Sequence, residues 1–185
     1  LHISKFQDNA SANKEILAYA FSYLGDIQNI NGEILNAEIS YKKSLQVSAN
    51  PMAYLGLGDI YSDQQQYNKA IENYEKGVAY EPNRISNVKR YYQLGLNYYL
   101  DSQFEKARAI FFKCQEVMEY NRNLYDYVMA SNDQGSKQKY WELFLHAMGS
   151  DLWLARLSQS PQERISIYNK INSYPPIKAQ LMAQD

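Results

Sequence analysis

The feature that most constrains this chain is a pair of small residues that recurs three times at one spacing. Each glycine is followed twelve residues later by an alanine. Each glycine also comes directly after a leucine, and that leucine lies three residues after an aromatic residue. The pairs are Gly25 with Ala37, Gly58 with Ala70, and Gly95 with Ala107. A recurrence of about 33 to 37 residues indicates a two-helix unit that buries its apolar face by stacking on its neighbours. The chain is therefore predicted to be an array of helical hairpins.

Residues 51–84 hold the clearest copy of this unit. Its landmarks are Tyr54, Leu57, Gly58, Tyr61, Tyr67, Ala70, Tyr74, Gly77 and Pro82. The pattern resembles the tetratricopeptide repeat, W-x2-L-G-x2-Y…A-x3-F…P over about 34 residues, with tyrosine in place of its Trp and Phe. The copies on either side carry Phe21, Leu24, Gly25, Gln28, Ile34, Ala37, Tyr41 and Ser44, and Tyr91, Leu94, Gly95, Tyr98, Phe104, Ala107, Phe111 and Cys114. The resemblance covers residue 18 to about residue 120.

Three departures from the family pattern are visible. Gln28 replaces a tyrosine in the first copy, Glu119 replaces the terminal proline in the third, and the connection around Arg84–Asn87 is longer than the others. The resemblance implies an all-α fold, a right-handed superhelical solenoid of tetratricopeptide helix–turn–helix repeats with a C-terminal helical cap. The expected organisation is a flank at 1–17, repeats at about 18–50, 51–84 and 88–121, and a degenerate repeat with a capping region at 121–185.

Small residues at fixed positions predict where helices approach each other. A glycine inside a helix costs about 0.5–1 kcal/mol relative to alanine, so its presence indicates a close neighbour. We expect that neighbour to be the second helix of the same repeat, at Ala37, Ala70 or Ala107. Ser44, Gly77 and Cys114 are expected to leave room for the next repeat. Pro51 and Pro82 are expected to start and to stop helices.

The two ends of the chain depart from the repeat. The first helix is expected to begin near Ser11 or Asn13, after a frayed or partial helix over 1–10. Towards the other end we expect a loop at 131–136, separate helices over about 138–149 and 151–158, and both Trp141 and Trp153 in the core of the cap. The segment Ser160-Pro161-Gln162-Glu163 predicts a capping box that opens a helix to about Asn172. Pro175-Pro176 is then expected to precede a last short helix.

Charge and hydropathy exclude several classes of protein. The net charge is −1, and residues 1–83 carry six Lys and Arg against ten Asp and Glu, so the chain has no basic domain of the kind that binds nucleic acid. No apolar run reaches the roughly 18–20 residues of a membrane span. One cysteine, Cys114, excludes an intrachain disulfide and is compatible with a reducing compartment. The expected location is the cytoplasm, or the periplasm if an N-terminal signal was removed, and the residue usage favours a bacterial source.

No combination of residues predicts catalysis, a metal site or a cofactor. Cys114 and His146 are the residue types of a nucleophile and its base, but Cys114 occupies a small-residue position of the third repeat, which favours a packing role. His2 and His146 lack the spacing of metal ligands. Gly56-Leu57-Gly58 lies within a helix and so does not form a phosphate-binding loop. We therefore expect a chain that is not an enzyme and that has no cofactor.

The first helices of tetratricopeptide repeats line a concave groove that receives a peptide or a partner helix, and the resemblance carries this property over by position. The implied partner-binding residues are Tyr19, Tyr23, Asp26, Met52, Leu55, Asp59, Lys89, Tyr92, Gln93 and Asn97. Asp26 and Asp59 stand where chaperone-binding members would have asparagine, and their carboxylates would repel a peptide C-terminus. Tyrosines, a Met–Leu patch and acids favour a helix or strand with apolar anchors and some positive charge.

Three functions are compatible with this sequence. The first is a protein–protein interaction scaffold. The second is a chaperone for a secreted or assembly-prone client, which the family resemblance associates with dimers, so a homodimer is left open. The third is a regulatory domain of a larger protein. In all three the expected partner is another protein or peptide, without nucleic acid and without insertion into a membrane.

Overall fold

All secondary structure in the described part of the chain is helical. A computed structural model describes the backbone of residues 2–173 and the side chains of residues 12–173. The helices are α1 His2–Ile30, α2 Ile34–Val47, α3 Pro51–Asp63, α4 Tyr67–Ala79, α5 Asn87–Leu100, α6 Phe104–Tyr120, α7 Arg122–Ala130, α8 Gln134–Leu157 and α9 Pro161–Asn172. The prediction of an all-α fold is confirmed. The chain divides into two compact units, Leu1–Glu81 and Pro82–Asp185.

Three helical hairpins correspond to the three sequence repeats. In the first unit α1 packs on α2, α3 packs on α4, and α3 also contacts both helices of the preceding hairpin. In the second unit α5 packs on α6 in the same way. Asn50 caps α3 by accepting the Ala53 N–H at 3.0 Å, and Pro51 occupies the first turn, as expected. The start of α1 differs from the expectation: one helix runs without a break from His2 to Ile30.

The nearest neighbour of each repeat glycine is an aromatic ring of the second helix in the same repeat. A Cβ atom on Gly25 would lie 2.7 Å from the Tyr41 ring, and one on Gly58 would lie 2.7 Å from the Tyr74 ring. A Cβ atom on Gly95 would lie 2.5 Å from the Phe111 ring. The second helix is thus the close neighbour, as expected, and its nearest atoms belong to these rings rather than to Ala37, Ala70 and Ala107. The ring four residues after each alanine lies one helical turn further on and reaches across to the first helix.

The position of Ser44 holds a buried polar cluster in the first unit. Ser44 Oγ donates to the Ala18 carbonyl at 2.7 Å and lies 2.9 Å from Ser22 Oγ, and Asn50 Nδ2 donates to Ser44 Oγ at 2.5 Å. All three side chains are buried and hydrogen-bonded to one another, which removes most of the cost of their burial. The cluster joins α1 and α2 to the residue that caps α3, so Ser44 does more than leave space.

The cap in the second unit is formed by α7, α8 and α9. The two helices expected on either side of Gly149 are a single helix, α8, which begins within the expected loop. Leu154 and Phe144 are buried, whereas Leu145 and Leu152 are exposed. Trp153 packs on Tyr99 and Phe111 with ring centroids 4.4 and 6.0 Å apart, and it is half-buried rather than enclosed.

The expected capping box opens α9 in a modified form. Ser160 Oγ accepts the Glu163 N–H at 3.3 Å, and Pro161 fills the first turn. The Glu163 carboxylate accepts a hydrogen bond from the Ser158 hydroxyl at 2.5 Å, and Ser158 Oγ in turn accepts one from the Ser160 N–H. Ser158 therefore bridges Glu163 and the backbone N–H of Ser160, which would bond directly in an ordinary capping box. The expected turn at Pro175-Pro176 and the last helix lie outside the described residues.

Candidate functional site

Two carboxylates occupy equivalent places in the first unit, each held by a tyrosine of the same repeat. Tyr41 Oη donates to Asp26 Oδ1 at 2.7 Å, and Tyr74 Oη donates to Asp59 Oδ1 at 2.7 Å. Asp26 directly follows Gly25 and Asp59 directly follows Gly58, so each tyrosine ring crosses the glycine before its hydroxyl reaches the carboxylate. Both aspartates are half-buried. The arrangement fixes the orientation of each acid while part of it faces solvent.

The other predicted groove residues of the first unit differ in accessibility. Tyr19 and Tyr23 are exposed, and Met52 is half-buried. Leu55 is engaged within its own repeat, because a Cβ atom on Gly77 would lie 2.5 Å from Leu55 Cδ2. It therefore packs on the second helix of that repeat. The Tyr41 ring fills the space beside Gly56, so this glycine leaves no gap for a partner side chain.

The predicted residues of the third repeat are mostly engaged within the second unit. Tyr92 contacts the His146 ring at 5.3 Å, and a Cβ atom on Gly149 would lie 2.9 Å from its ring, so α8 covers the face that was expected to receive a partner. Gln93 accepts a hydrogen bond from Arg90 at 3.1 Å. Lys89 is exposed. Whether these residues bind a partner remains a prediction.

Asn97 was assigned to the wrong position of the repeat. Leu96 follows Gly95 and is thus the equivalent of Asp26 and Asp59, while Asn97 is the equivalent of the buried Ile60. Asn97 is 2% exposed and donates to the Gln93 carbonyl at 2.9 Å. Its side chain does not reach the surface, which contradicts the implied role of Asn97 as a partner-binding residue.

Cys114 and His146 do not form a nucleophile and base. The Cys114 thiol donates to the Val88 carbonyl at 3.3 Å, and burial raises its pKa to about 12. Nδ1 of His146 lies 2.6 Å from the Glu142 carbonyl. A thiol with so high a pKa stays protonated at neutral pH and is a poor nucleophile.

A buried carboxylate in the cap was missed by sequence reasoning. Asp151 is almost fully buried in α8, and its Oδ1 lies 3.0 Å from Nζ of Lys170 on α9. Lys170 also donates a hydrogen bond to Gln115. Lys170 and Gln115 line a pocket of about 110 Å³ together with Phe144 and Tyr125. That volume is below the roughly 300–1,000 Å³ of small-molecule sites. A charged residue within an apolar helical face was the only sequence signal for this pair.

Two further classes of site are absent from the described residues. Within 12–173 no three His, Cys, Asp or Glu side chains come together as a metal site would require. Over the same residues no helix combines the length and the apolar character needed to cross a bilayer.

Comparison with known proteins places one repeat directly in a family. Residues 51–84 match the profile of the tetratricopeptide repeat. No curated protein matches the chain. Among solved structures the chain is similar to a MamA RS-1 double mutant, with 24% identity, 72% of this chain and 75% of that chain covered, and a TM-score of 0.49.

Two further solved structures are similar at lower identity. The Sgt2 tetratricopeptide domain from Aspergillus fumigatus is 18% identical, with 78% of this chain and 84% of that one covered and a TM-score of 0.49. A thermophilic tetratricopeptide protein of Thermus thermophilus, TTC0263, is 19% identical, with 90% and 96% covered and a TM-score of 0.47. Residues 51–84 are therefore a tetratricopeptide repeat, and the hairpins before and after it in the sequence repeat its glycine–aromatic contact.

Proposed function

We propose that this chain is a protein-interaction module that holds an extended segment of a partner protein along the first helices of its repeats. The partner segment supplies basic side chains and apolar anchors. The observation that carries the proposal is the pair of oriented carboxylates, Asp26 and Asp59, each bonded to a tyrosine of its own repeat. A carboxylate that is already oriented loses less freedom when a cation binds, which favours affinity. The first unit also carries a net charge of −4.

The spacing of the two acids limits what the partner can be. Helices that pack on each other, as α1 and α3 do, are about 8–10 Å apart. An extended segment in the polyproline II conformation rises about 3.1 Å per residue with three residues per turn, so side chains three residues apart lie on the same side at a similar distance. We infer that the partner segment carries Lys or Arg at two positions three residues apart. Tyr19 and Met52, on the same two helices, supply apolar surface beside the acids.

The partner must first be identified by pull-down from the source organism with mass spectrometry. Its identity also separates a general scaffold from a chaperone and from a regulatory domain, because the three differ in what is bound. Peptides covering the captured protein are then measured by calorimetry. We expect the binding peptide to contain the two basic residues, and moving them to positions two residues apart should weaken binding.

A charge-removing variant tests the site itself. Asp26→Asn with Asp59→Asn keeps an oxygen that accepts each tyrosine hydroxyl but removes both charges. We expect affinity to fall by about 1–3 kcal/mol, the scale of hot-spot losses, together with its dependence on salt. The matched control is Glu15→Gln with Glu72→Gln, which removes two charges from exposed positions elsewhere in the unit. Equal losses in both variants would mean that only net charge matters, and the proposed site would be rejected.

The apolar contribution rests on Met52, with Leu55 in a lesser role. Met52→Ala with Leu55→Ala is expected to weaken binding by about 1–3 kcal/mol. Because Leu55 packs on Gly77, its truncation also affects folding, so Met52→Ala alone is the cleaner measurement. Unchanged affinity in Met52→Ala, with helicity retained, would place the apolar contact elsewhere.

We also propose that the chain binds without catalysing a reaction. The family is typically a non-enzymatic scaffold, and the protonated, buried thiol of Cys114 supports the proposal. A broad activity screen tests it, and turnover that disappears with one side-chain substitution would overturn it.

A further inference from the structure

The face of α1 that points away from α2 and α3 is an apolar surface. Its large side chains are between 43% and 84% exposed: Ile16, Leu17, Tyr23, Leu24, Ile27 and Ile30. A repeat face that no neighbour covers is normally polar. Here the segment 16–30 contains one charged residue, Asp26, whose carboxylate accepts the Tyr41 hydroxyl of α2. A helix that is apolar on all sides is ordinarily buried on all sides.

The second repeat shows what this face does when it is covered. Leu57 and Ile60 are the equivalents of Leu24 and Ile27, and they are 3% and 2% exposed. Their helix, α3, packs on α1 and α2. The positions on α1 are therefore those of a helix–helix interface whose other half is missing from the described structure.

The exposed face of α1 is not a copy of the face by which α3 packs on the first repeat. Gly56 of α3 admits the Tyr41 ring of the preceding hairpin, and its Cβ position is filled by that ring. The equivalent residue on α1 is Tyr23. A tyrosine leaves no space for such a ring, so an element that covers α1 would meet it differently from the way the first repeat meets α3. The length of α1 also differs, with 29 residues against 13 in α3.

We propose that α1 pairs with α1 of a second copy of this chain. Side chains at alternating spacings of four and three residues form the seam of a two-helix pair, and α1 has them at Ile16, Ala20, Tyr23, Ile27 and Ile30. In a two-fold dimer the same surface of each copy forms the interface, so charged residues on the seam would lie close to like charges of the second copy. This seam carries no charged residue. Six large apolar side chains that are each 43–84% exposed along one stretch of helix form a patch of the kind that marks an interaction site.

Sedimentation of the full chain tests the dimer. We expect twice the 21.5 kDa of one chain at micromolar concentration. Ile16→Lys with Ile27→Lys should raise the dissociation constant by roughly tenfold or more, since an unpaired buried charge is costly at an interface. The matched control, Leu35→Lys with Ile39→Lys, changes two exposed aliphatic residues of α2 and should leave the dimer intact. Circular dichroism checks that both variants remain helical.

A disulfide at the centre of the seam locates the contact independently. Tyr23→Cys should form a covalent dimer under mild oxidation, because a residue near the middle of the seam meets its own copy in either orientation of the pair. Leu35→Cys serves as the control and should stay monomeric on a denaturing gel. The native Cys114 is buried and should not interfere. A monomer at all concentrations, or a dimer that both lysine variants affect equally, would overturn the proposal.

Discussion

The second and third repeats fill the same space with different chemistry. In the second, the Tyr74 ring lies on Gly58 and its hydroxyl bonds Asp59. In the third, the Phe111 ring lies on Gly95, and the residue in the place of Asp59 is Leu96. The hydroxyl and the carboxylate are present together in one repeat and absent together in the other.

This difference separates two roles of one side chain. The ring packs against glycine in every repeat, so it belongs to the fold. The hydroxyl occurs only where an acid can accept it, because a buried hydroxyl without an acceptor costs about 1–3 kcal/mol. The first unit thus has oriented acids on its first helices, while the third repeat has an apolar residue there and packs Tyr92 against α8.

The largest effect is expected from Gly58→Leu. The Cβ atom alone would lie 2.7 Å from the Tyr74 ring, so the added side chain must separate α3 from α4. We expect a loss of about 3 kcal/mol or more in the free energy of unfolding, the upper end of overpacking costs, measured by urea denaturation. Gly135→Leu is the control, because its Cβ position makes only ordinary contact at 3.5 Å. Similar stability in the two variants would show that the ring–glycine contact does not hold the repeat.

A smaller effect is expected when the third repeat is given the hydroxyl without the acid. Phe111→Tyr should cost about 1–3 kcal/mol, since the ring is fully buried and, by equivalence with Tyr74 and Asp59, its new hydroxyl would point towards Leu96, which offers no acceptor. Adding Leu96→Asp should recover part of that loss, and a double-mutant cycle by denaturation measures the coupling. Additive losses would indicate that the two repeats are not equivalent at this position.

The smallest effect is expected from removing the hydroxyl in the second repeat. Tyr74→Phe keeps the ring on Gly58 and should cost about 0.5–1.5 kcal/mol, because water can reach the half-buried Asp59 and replace the lost bond. Tyr80→Phe, at an exposed position, is the control and should leave the melting temperature unchanged. A loss as large as that of Gly58→Leu would mean that the hydroxyl, and not the ring, holds the hairpin.

The sequence by itself determined the repeats and many helix ends. Glycine, leucine and an aromatic residue recur at local spacings of a few residues, and such spacings are properties of one helix. Pro51, and Ser160 three residues before Glu163, predict helix starts for the same reason, since these signals involve only the first turn of the helix. These features need no knowledge of what lies across the core.

Only the tertiary structure decided which side chains meet. The partner of Gly58 is Tyr74, Leu55 lies on Gly77, and α8 covers Tyr92, and each of these contacts depends on how helices cross rather than on spacing along the chain. A shift of one residue turns a helix by about 100°, which is why Asn97, read one position out of register, was expected on the surface and is buried. The exposed face of α1 has the same origin, because its residues look like core until the structure shows that no described element covers them.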